Sequence, residues 1–334
     1  MELYQPANTR SNISPFSFHE LTLVEEKLYH LLRQADGLTQ EACLKLLQSG
    51  GKRLRPLLVI QSGMCFSPLN LAMIDAAVAS ELIHTASLVH DDIIDQADLR
   101  RGVSTTNSDL GNYAAVLTGD YIFAQAFSLL ASHNLLKPME YMCQAIQAMC
   151  SGEINQAGEK FDPQLSLSQY FKRMEQKTSA LLTASCKAGA SCAGASDTQL
   201  MIFDQFGTQI GYAFQIIDDL KDYVGIRSKI GKPVNKDLTQ GHITLPLILC
   251  LQDSSSNQWV KDIILRQQID DEELFKIQTF LEENSYIEQS IKIAQDCINN
   301  AKNSLNPLPV SNSKTFLINL AEDLMRQIPM ELAQ

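Results

Sequence analysis

The stretch LAMIDAAVASELIHTASLVHDDIID, residues 71–95, sets the class of this fold. Apolar residues dominate it as far as Val89, but Asp75, Glu81 and His84 interrupt them. It therefore reads as a helix buried in a soluble protein and not as a membrane span. The stretch ends on Asp91, Asp92 and Asp95. Each helical residue advances about 100°, which puts Asp91 within about 40° of Asp95, and Asp92 about 60° from Asp95. Three carboxylates then share one sector at the tip of an apolar helix, where they oppose the helix dipole. Like charges so close repel one another unless a cation lies among them. Hard oxygen ligands without His or Cys suit Mg²⁺.

The same ending recurs in QIGYAFQIIDDLKD, residues 209–222, with Asp218, Asp219 and Asp222. Around these two stretches, long windows at 113–131, 138–158 and 167–194 are also rich in Ala, Leu, Ile, Met, Gln and Glu. Alternating β-branched runs are scarce, and no glycine-rich phosphate loop follows a strand. The expected fold is all-α, with long helices around one core. Residues 1–17 read as a loose leader without the apolar stretch of a secretory signal, and 18–334 as a single domain. Ser254–Ser256 mark a surface loop.

Of the 334 residues 45% are hydrophobic and 19% charged, enough for a large core and too apolar for a disordered chain. The 27 basic residues against 38 acidic ones leave a net charge of −11, which argues against a nucleic-acid partner. The eight cysteines form no Cys-x-x-Cys pair and read as buried free thiols in a reducing, cytoplasmic setting.

An acidic chain that holds a diphosphate needs local cations. GGKRLRP, residues 50–56, supplies Lys52, Arg53 and Arg55, and Arg100-Arg101-Gly102 follows the first acidic motif. Arg grips phosphate oxygens in pairs, and Lys acts as a point charge. His84 stands seven residues before Asp91, nearly on the same face, and is a candidate diphosphate ligand. His90 points elsewhere and reads as structural. Lys177, Thr178 and Gln215 are further donors on helices, and Lys232 follows the second motif in a loop.

Eight segments carry a family resemblance: GGKRLRP (50–56), ELIHTASLVHDDIID (81–95), RRG (100–102), GDYIFAQAF (119–127), GEINQ (152–156), KT (177–178), GYAFQIIDDLKD (211–222) and GKPVNKDLTQGHITLP (231–246). In this order they resemble the trans-isoprenyl diphosphate synthases, or polyprenyl synthetases. The resemblance implies an isoprenoid-synthase-type bundle around a central deep cavity, a homodimer, and several Mg²⁺ ions per site. Asp91, Asp92 and Asp95 then match the first metal motif, and Asp218, Asp219 and Asp222 the second. Lys52, Arg55, His84 and Arg101 match the ligands of isopentenyl diphosphate. Arg100, Lys177, Thr178, Gln215 and Lys232 match those of the allylic diphosphate. One position departs from the pattern: many members carry Gly-Lys-x-Thr-Leu-Pro where this chain has Gly241-His242-Ile243-Thr244-Leu245-Pro246. His242 is left without a role.

The implied reaction is repeated trans condensation of isopentenyl diphosphate onto an allylic diphosphate, with the leaving group neutralised by Mg²⁺ and Lys177. Beneath the first motif stand Ala86 and Ser87, with Ser80, Ala79 and Ala76 deeper. Short-chain members of the family carry bulky aromatics near Ala86 and Ser87. Small residues imply a longer product, with Phe123 or Phe127 as a floor, and a quinone side-chain precursor that could bring transient membrane association. A geranylgeranyl or farnesyl product, a non-catalytic subunit of a heteromeric synthase, a terpene cyclase and a head-to-head condensing enzyme are the alternatives.

Overall fold

A computed structural model of the chain describes residues 18–48, 50–223, 236–253 and 257–328. The leader, Ser254–Ser256 and Lys232 lie outside the described residues. The chain forms two compact units, Met1–Cys143 with Ala184–Leu200, and Gln144–Thr183 with Met201–Gln334.

The first unit contains α1 (Phe18–Leu32), α2 (Gly37–Gln48), α3 (Leu54–Met64), α4 (Leu71–Ile94) and α5 (Thr106–Ser132). The opening stretch becomes α4, which packs against α1, α3 and α5. Asn70 starts it, its side-chain oxygen accepting from the Met73 N–H at 2.9 Å. Ala76, Ala77, Ala79 and Ser80 are fully enclosed, and their small size lets neighbouring backbones come close. The Ser80 hydroxyl meets that of Ser185 at 2.7 Å, so this deep serine serves helix packing. Both α4 and α5 are long and apolar enough to cross a membrane. In α4, 72% of the most apolar window is buried within the protein, against 39% in α5.

Between α4 and α5 lies a hairpin, β1 (Leu99–Arg100) paired antiparallel with β2 (Val103–Ser104). Arg101 and Gly102 join the strands with φ of 52° and 79°, the left-handed pair that a type I′ turn requires. The helical reading of the sequence did not contain this turn.

The second unit takes in most of α6 (Leu136–Gly158), then α7 (Leu167–Met174), a π turn at Glu175–Ser179, the start of α8 (Ala180–Cys192) and most of α9 (Asp197–Lys221). It continues through α10 (Lys236–Thr239), α11 (Leu245–Gln252), α12 (Gln258–Leu265), α13 (Asp271–Glu283), α14 (Tyr286–Ser304) and α15 (Asn312–Met325). The apolar α11 packs on α7, α13 and α14. Capping boxes start α7 (Ser166 with Gln169) and α13 (Asp270 with Glu273). The window 167–194 runs through α7, the π turn and α8.

The all-α reading holds. All eight cysteines are free, and five are buried. Cys150 is exposed, against expectation, because its turn of α6 points outward even though its neighbours in sequence are apolar.

Candidate active site

In the first unit, the last turn of α4 divides its three carboxylates. Asp92 is buried, Asp91 is half-buried, and Asp95 is exposed at the helix end. The shared sector inferred from helical spacing is therefore split. Asp92 accepts from Arg100 Nε at 2.7 Å, and the hairpin that carries Arg100 sets this pairing. Burial pushes the Asp92 carboxyl up, and Arg100 opposes that shift.

The GGKRLRP segment turns sharply into α3. Arg53 has φ 48° and a buried side chain, whose Nη1 donates to Glu81 at 2.8 Å and whose Nε reaches Glu25 at 3.4 Å. Arg53 thus ties the loop to α4 and α1. Arg55, on the first turn of α3, differs. Its Nε is buried without a hydrogen-bond partner, and burial lowers the guanidinium to about 10 although Glu81 acts in the other direction. A buried cationic donor left open in this way suits an anion.

His84 lies among these cations. Burial first, then Arg55, Arg101, Arg100 and Arg53, hold its imidazole well below the usual histidine range, so the ring is neutral. Lys52 is exposed, and Arg101 Nη1 donates to the Gly50 carbonyl. Arg55, Arg100 and Arg101 beside one neutral imidazole are the kind of donors a diphosphate needs. Lys52, Arg55, His84, Arg100 and Arg101 are thus gathered in one unit, together with the first acidic motif.

The second unit repeats the design. Asp219 is buried, Asp218 is exposed beside Lys221 at 3.4 Å, and Asp222 accepts from the Asp237 N–H at 3.0 Å. Asp219 accepts from the Tyr170 hydroxyl at 2.7 Å and from Gln215 Nε2 at 2.8 Å. Burial still raises its carboxyl to about 6. In both motifs the middle aspartate is turned inward onto protein donors.

The π turn carries Lys177 and Thr178. A π turn adds one residue to a helical turn and is frequent at functional sites. Here α6 and α9 press against it through glycines: a Cβ on Gly152 would come within 2.8 Å of Gln176, and one on Gly211 within 2.5 Å of the Ser179 Cα. Lys177 Nζ contacts Glu153 at 2.8 Å and Gln156 Oε1 at 3.2 Å. The Thr178 hydroxyl donates to Gln215 Oε1 at 2.6 Å. A hydroxyl has one proton, so Thr178 and Gln215 here orient Asp219 rather than stand open.

Under the first motif, Ala86 is enclosed and Ser87 nearly so, its hydroxyl returned to the His84 carbonyl at 2.9 Å. The Phe123 ring lies 5.7 Å from that of His90, which also meets the Val116 carbonyl at 3.2 Å, a structural role as expected. Phe127 is half-buried. Among the described residues, no three acidic, imidazole or thiol groups lie close enough to hold an ion unaided. Mg²⁺ commonly takes one or two carboxylates and completes its shell with phosphate oxygens and water. The aspartates of each motif, outward and inward alike, are hard oxygen donors beside phosphate-type cations and fit such an ion.

Sequence reasoning missed Tyr170 and Arg173. Arg173 Nη2 donates to the Ile243 carbonyl at 2.8 Å, and its charge helps keep Asp219 ionised. Neither residue lies near an acidic motif in sequence. It also missed the Arg53–Glu81 pair, whose only trace was a glutamate inside an apolar helix.

Two acidic helix ends, each backed by cations on an all-α frame with one short hairpin, put the chain in the class of the isoprenoid synthases. The sequence profile of the polyprenyl synthetases matches residues 36–281, and the chain belongs to that family. It is a prenyltransferase that builds polyprenyl diphosphates by chain elongation. Among its relatives is the heptaprenyl diphosphate synthase component 2 of Bacillus subtilis, 35% identical over 304 residues, which are 91% of this chain and 86% of the relative. A decaprenyl diphosphate synthase of Rhodobacter capsulatus superposes with a TM-score of 0.87 at 27% identity, covering 93% of this chain and 97% of that one. A polyprenyl synthase of Caulobacter crescentus, solved with calcium and isoprenyl diphosphate, has a TM-score of 0.85 at 29% identity and covers 94% and 96%.

Proposed function

We propose that the chain is a medium- to long-chain trans-polyprenyl diphosphate synthase. In this reading Lys52, Arg55, His84 and Arg101 hold isopentenyl diphosphate, and Arg100, Lys177 and Lys232 hold the allylic diphosphate. The observation that carries it is Arg55, a half-buried cation whose enclosed Nε is left open amid other arginines. Such a group is costly in an empty protein and favourable once a diphosphate is present.

Mg²⁺ ions, held by Asp91, Asp92 and Asp95 in the first motif and by Asp218, Asp219 and Asp222 in the second, would neutralise the departing diphosphate. Lys177 adds fixed positive charge where negative charge develops. The clamp on isopentenyl diphosphate holds its double bond for attack on the allylic cation. Apolar walls on α4 and α5 keep water away from that cation. The proton lost after attack passes to the released diphosphate. Ala86 and Ser87 leave room for a growing chain, and Phe123 or Phe127 closes it, giving a product suited to a quinone side chain.

The exposed face of α5 supports a homodimer. After the kink at Gly111 (φ 81°), Tyr113, Val116 and Leu117 stand in solvent at helical spacing, with Tyr113 82% exposed. The free thiols suit a cytoplasmic protein. A second reading is that the chain works with a different subunit, because the Bacillus subtilis relative is a component 2. The purified chain, given Mg²⁺, labelled isopentenyl diphosphate and an allylic primer, is expected to make polyprenyl diphosphates unaided. Activity only after a cell extract is added would favour the second reading, and no prenyl product in either case would remove both.

A further inference from the structure

His242, which departs from the family pattern, lies next to Lys177 by way of Gln156. Gln156 Oε1 accepts from Lys177 Nζ at 3.2 Å, while its Nε2 faces His242 Nδ1 at 3.1 Å. Lysine can only donate, so the contact with Lys177 fixes the carbonyl side of the Gln156 amide. The amide NH₂ must then face His242, and it too can only donate. His242 Nδ1 is therefore an acceptor, and the ring is the neutral tautomer with its proton on Nε2.

The backbone around His242 is held firmly. Its own N–H donates to the Asp237 carbonyl at 2.7 Å, the Gly241 carbonyl accepts from the Phe161 N–H at 2.8 Å, and the Ile243 carbonyl accepts from Arg173. Gly241 has φ 86°, and a Cβ there would strike the Phe161 ring at 2.5 Å, so the loop seats directly on that ring. Burial, then Lys160, Lys177 and Arg173, outweigh Glu153 and lower the imidazole to about 4, which keeps Nδ1 free to accept at neutral pH.

We propose that His242 is a positioning residue for Lys177: it fixes the Gln156 amide so that its carbonyl, with Glu153, aims the ammonium at the allylic diphosphate. A donor at 242 would turn the amide over and present NH₂ to Lys177. This rests on the reading of Lys177 as an allylic diphosphate ligand.

Steady-state kinetics on the full chain test it. His242→Leu is expected to raise KM for the allylic diphosphate about tenfold, with KM for isopentenyl diphosphate within about twofold of wild type. His242→Asn, whose Oδ1 replaces the Nδ1 acceptor, is expected to restore most of the loss. In a Lys177→Ala background His242→Leu is expected to add little. NMR of carbon-labelled histidine is expected to report the Nε2–H tautomer at neutral pH. An unchanged allylic KM, fully additive effects with Lys177→Ala, or an Nδ1–H ring in the wild type would overturn the proposal. Wild-type protein without prenyl transfer would instead remove the functional reading beneath it.

Discussion

The Tyr170 hydroxyl donates to Asp219 at 2.7 Å, and both groups are buried. That bond, with Gln215 Nε2 on the other oxygen, keeps a carboxylate inside the protein while Asp218 stands in solvent. Asp92 occupies the same place in the first motif, with Arg100 as its donor. An inward aspartate on fixed donors is pre-oriented, so ordering it on binding costs little.

Tyr170→Phe removes one of these donors from a buried carboxylate. The expected cost is about 1–3 kcal/mol of folding stability. The Asp219 carboxyl, already raised to about 6, should rise further. Its charged form is then scarcer near neutrality, and the enzyme should need more Mg²⁺ for half-maximal rate at pH 6.5 than at pH 8. Magnesium titrations of activity at the two pH values check this.

Arg55→Met is expected to act in opposite senses on the free and the loaded protein. It removes a buried donor atom that has no hydrogen-bond partner, so the ligand-free chain should melt no lower than wild type. Inorganic diphosphate should stabilise wild type but not the variant, and KM for isopentenyl diphosphate should rise at least about tenfold. Melting curves with and without diphosphate give the first readout.

Ser87→Phe sets a bulky ring beside the enclosed Ala86, on the path read for the growing chain. Products should become shorter by several isoprene units, with the first condensation retained. Chromatography of the dephosphorylated products reads the length. An unchanged distribution would show that Ala86 and Ser87 serve only helix packing, as Ser80 does against Ser185.

The lowered imidazole of His242 links folding to pH. Its folded value of about 4 lies below the ordinary 6.5, so the unfolded chain takes up the proton first. The stability that goes with the neutral ring is complete above 6.5 and is lost as pH falls from 6.5 towards 4. The part-exposed ring screens this to on the order of 1 kcal/mol. Urea unfolding at pH 7 and pH 5 should show a larger acid loss for wild type than for His242→Asn, the difference between the two proteins cancelling the carboxylates common to both.

The frame was legible because long apolar windows and the absence of strand alternation leave few options. α4 could be read from residues 71–95, down to its acidic tip. The basic residues were legible as types, because an acidic chain must gather cations around an anion. The division of labour within each motif was not. Helical spacing places Asp91, Asp92 and Asp95 on one sector, but which one turns inward depends on Arg100, and Arg100 depends on a type I′ turn beyond the helix. The π turn at Lys177 has no signature in its own residues. It shows only in the fold, where Gly152 and Gly211 let α6 and α9 come close to it. His242 was visible only as a departure, since its partner Gln156 lies far off in sequence.

The most direct test compares the initial rate of labelled isopentenyl diphosphate incorporation by wild type, Asp92→Asn and Asp219→Asn, each checked for native helix content. Both acidic helix ends are held to be needed for the chemical step, so each variant should fall at least about a hundredfold in kcat. A folded variant of either kind that turned over at the wild-type rate would contradict that claim.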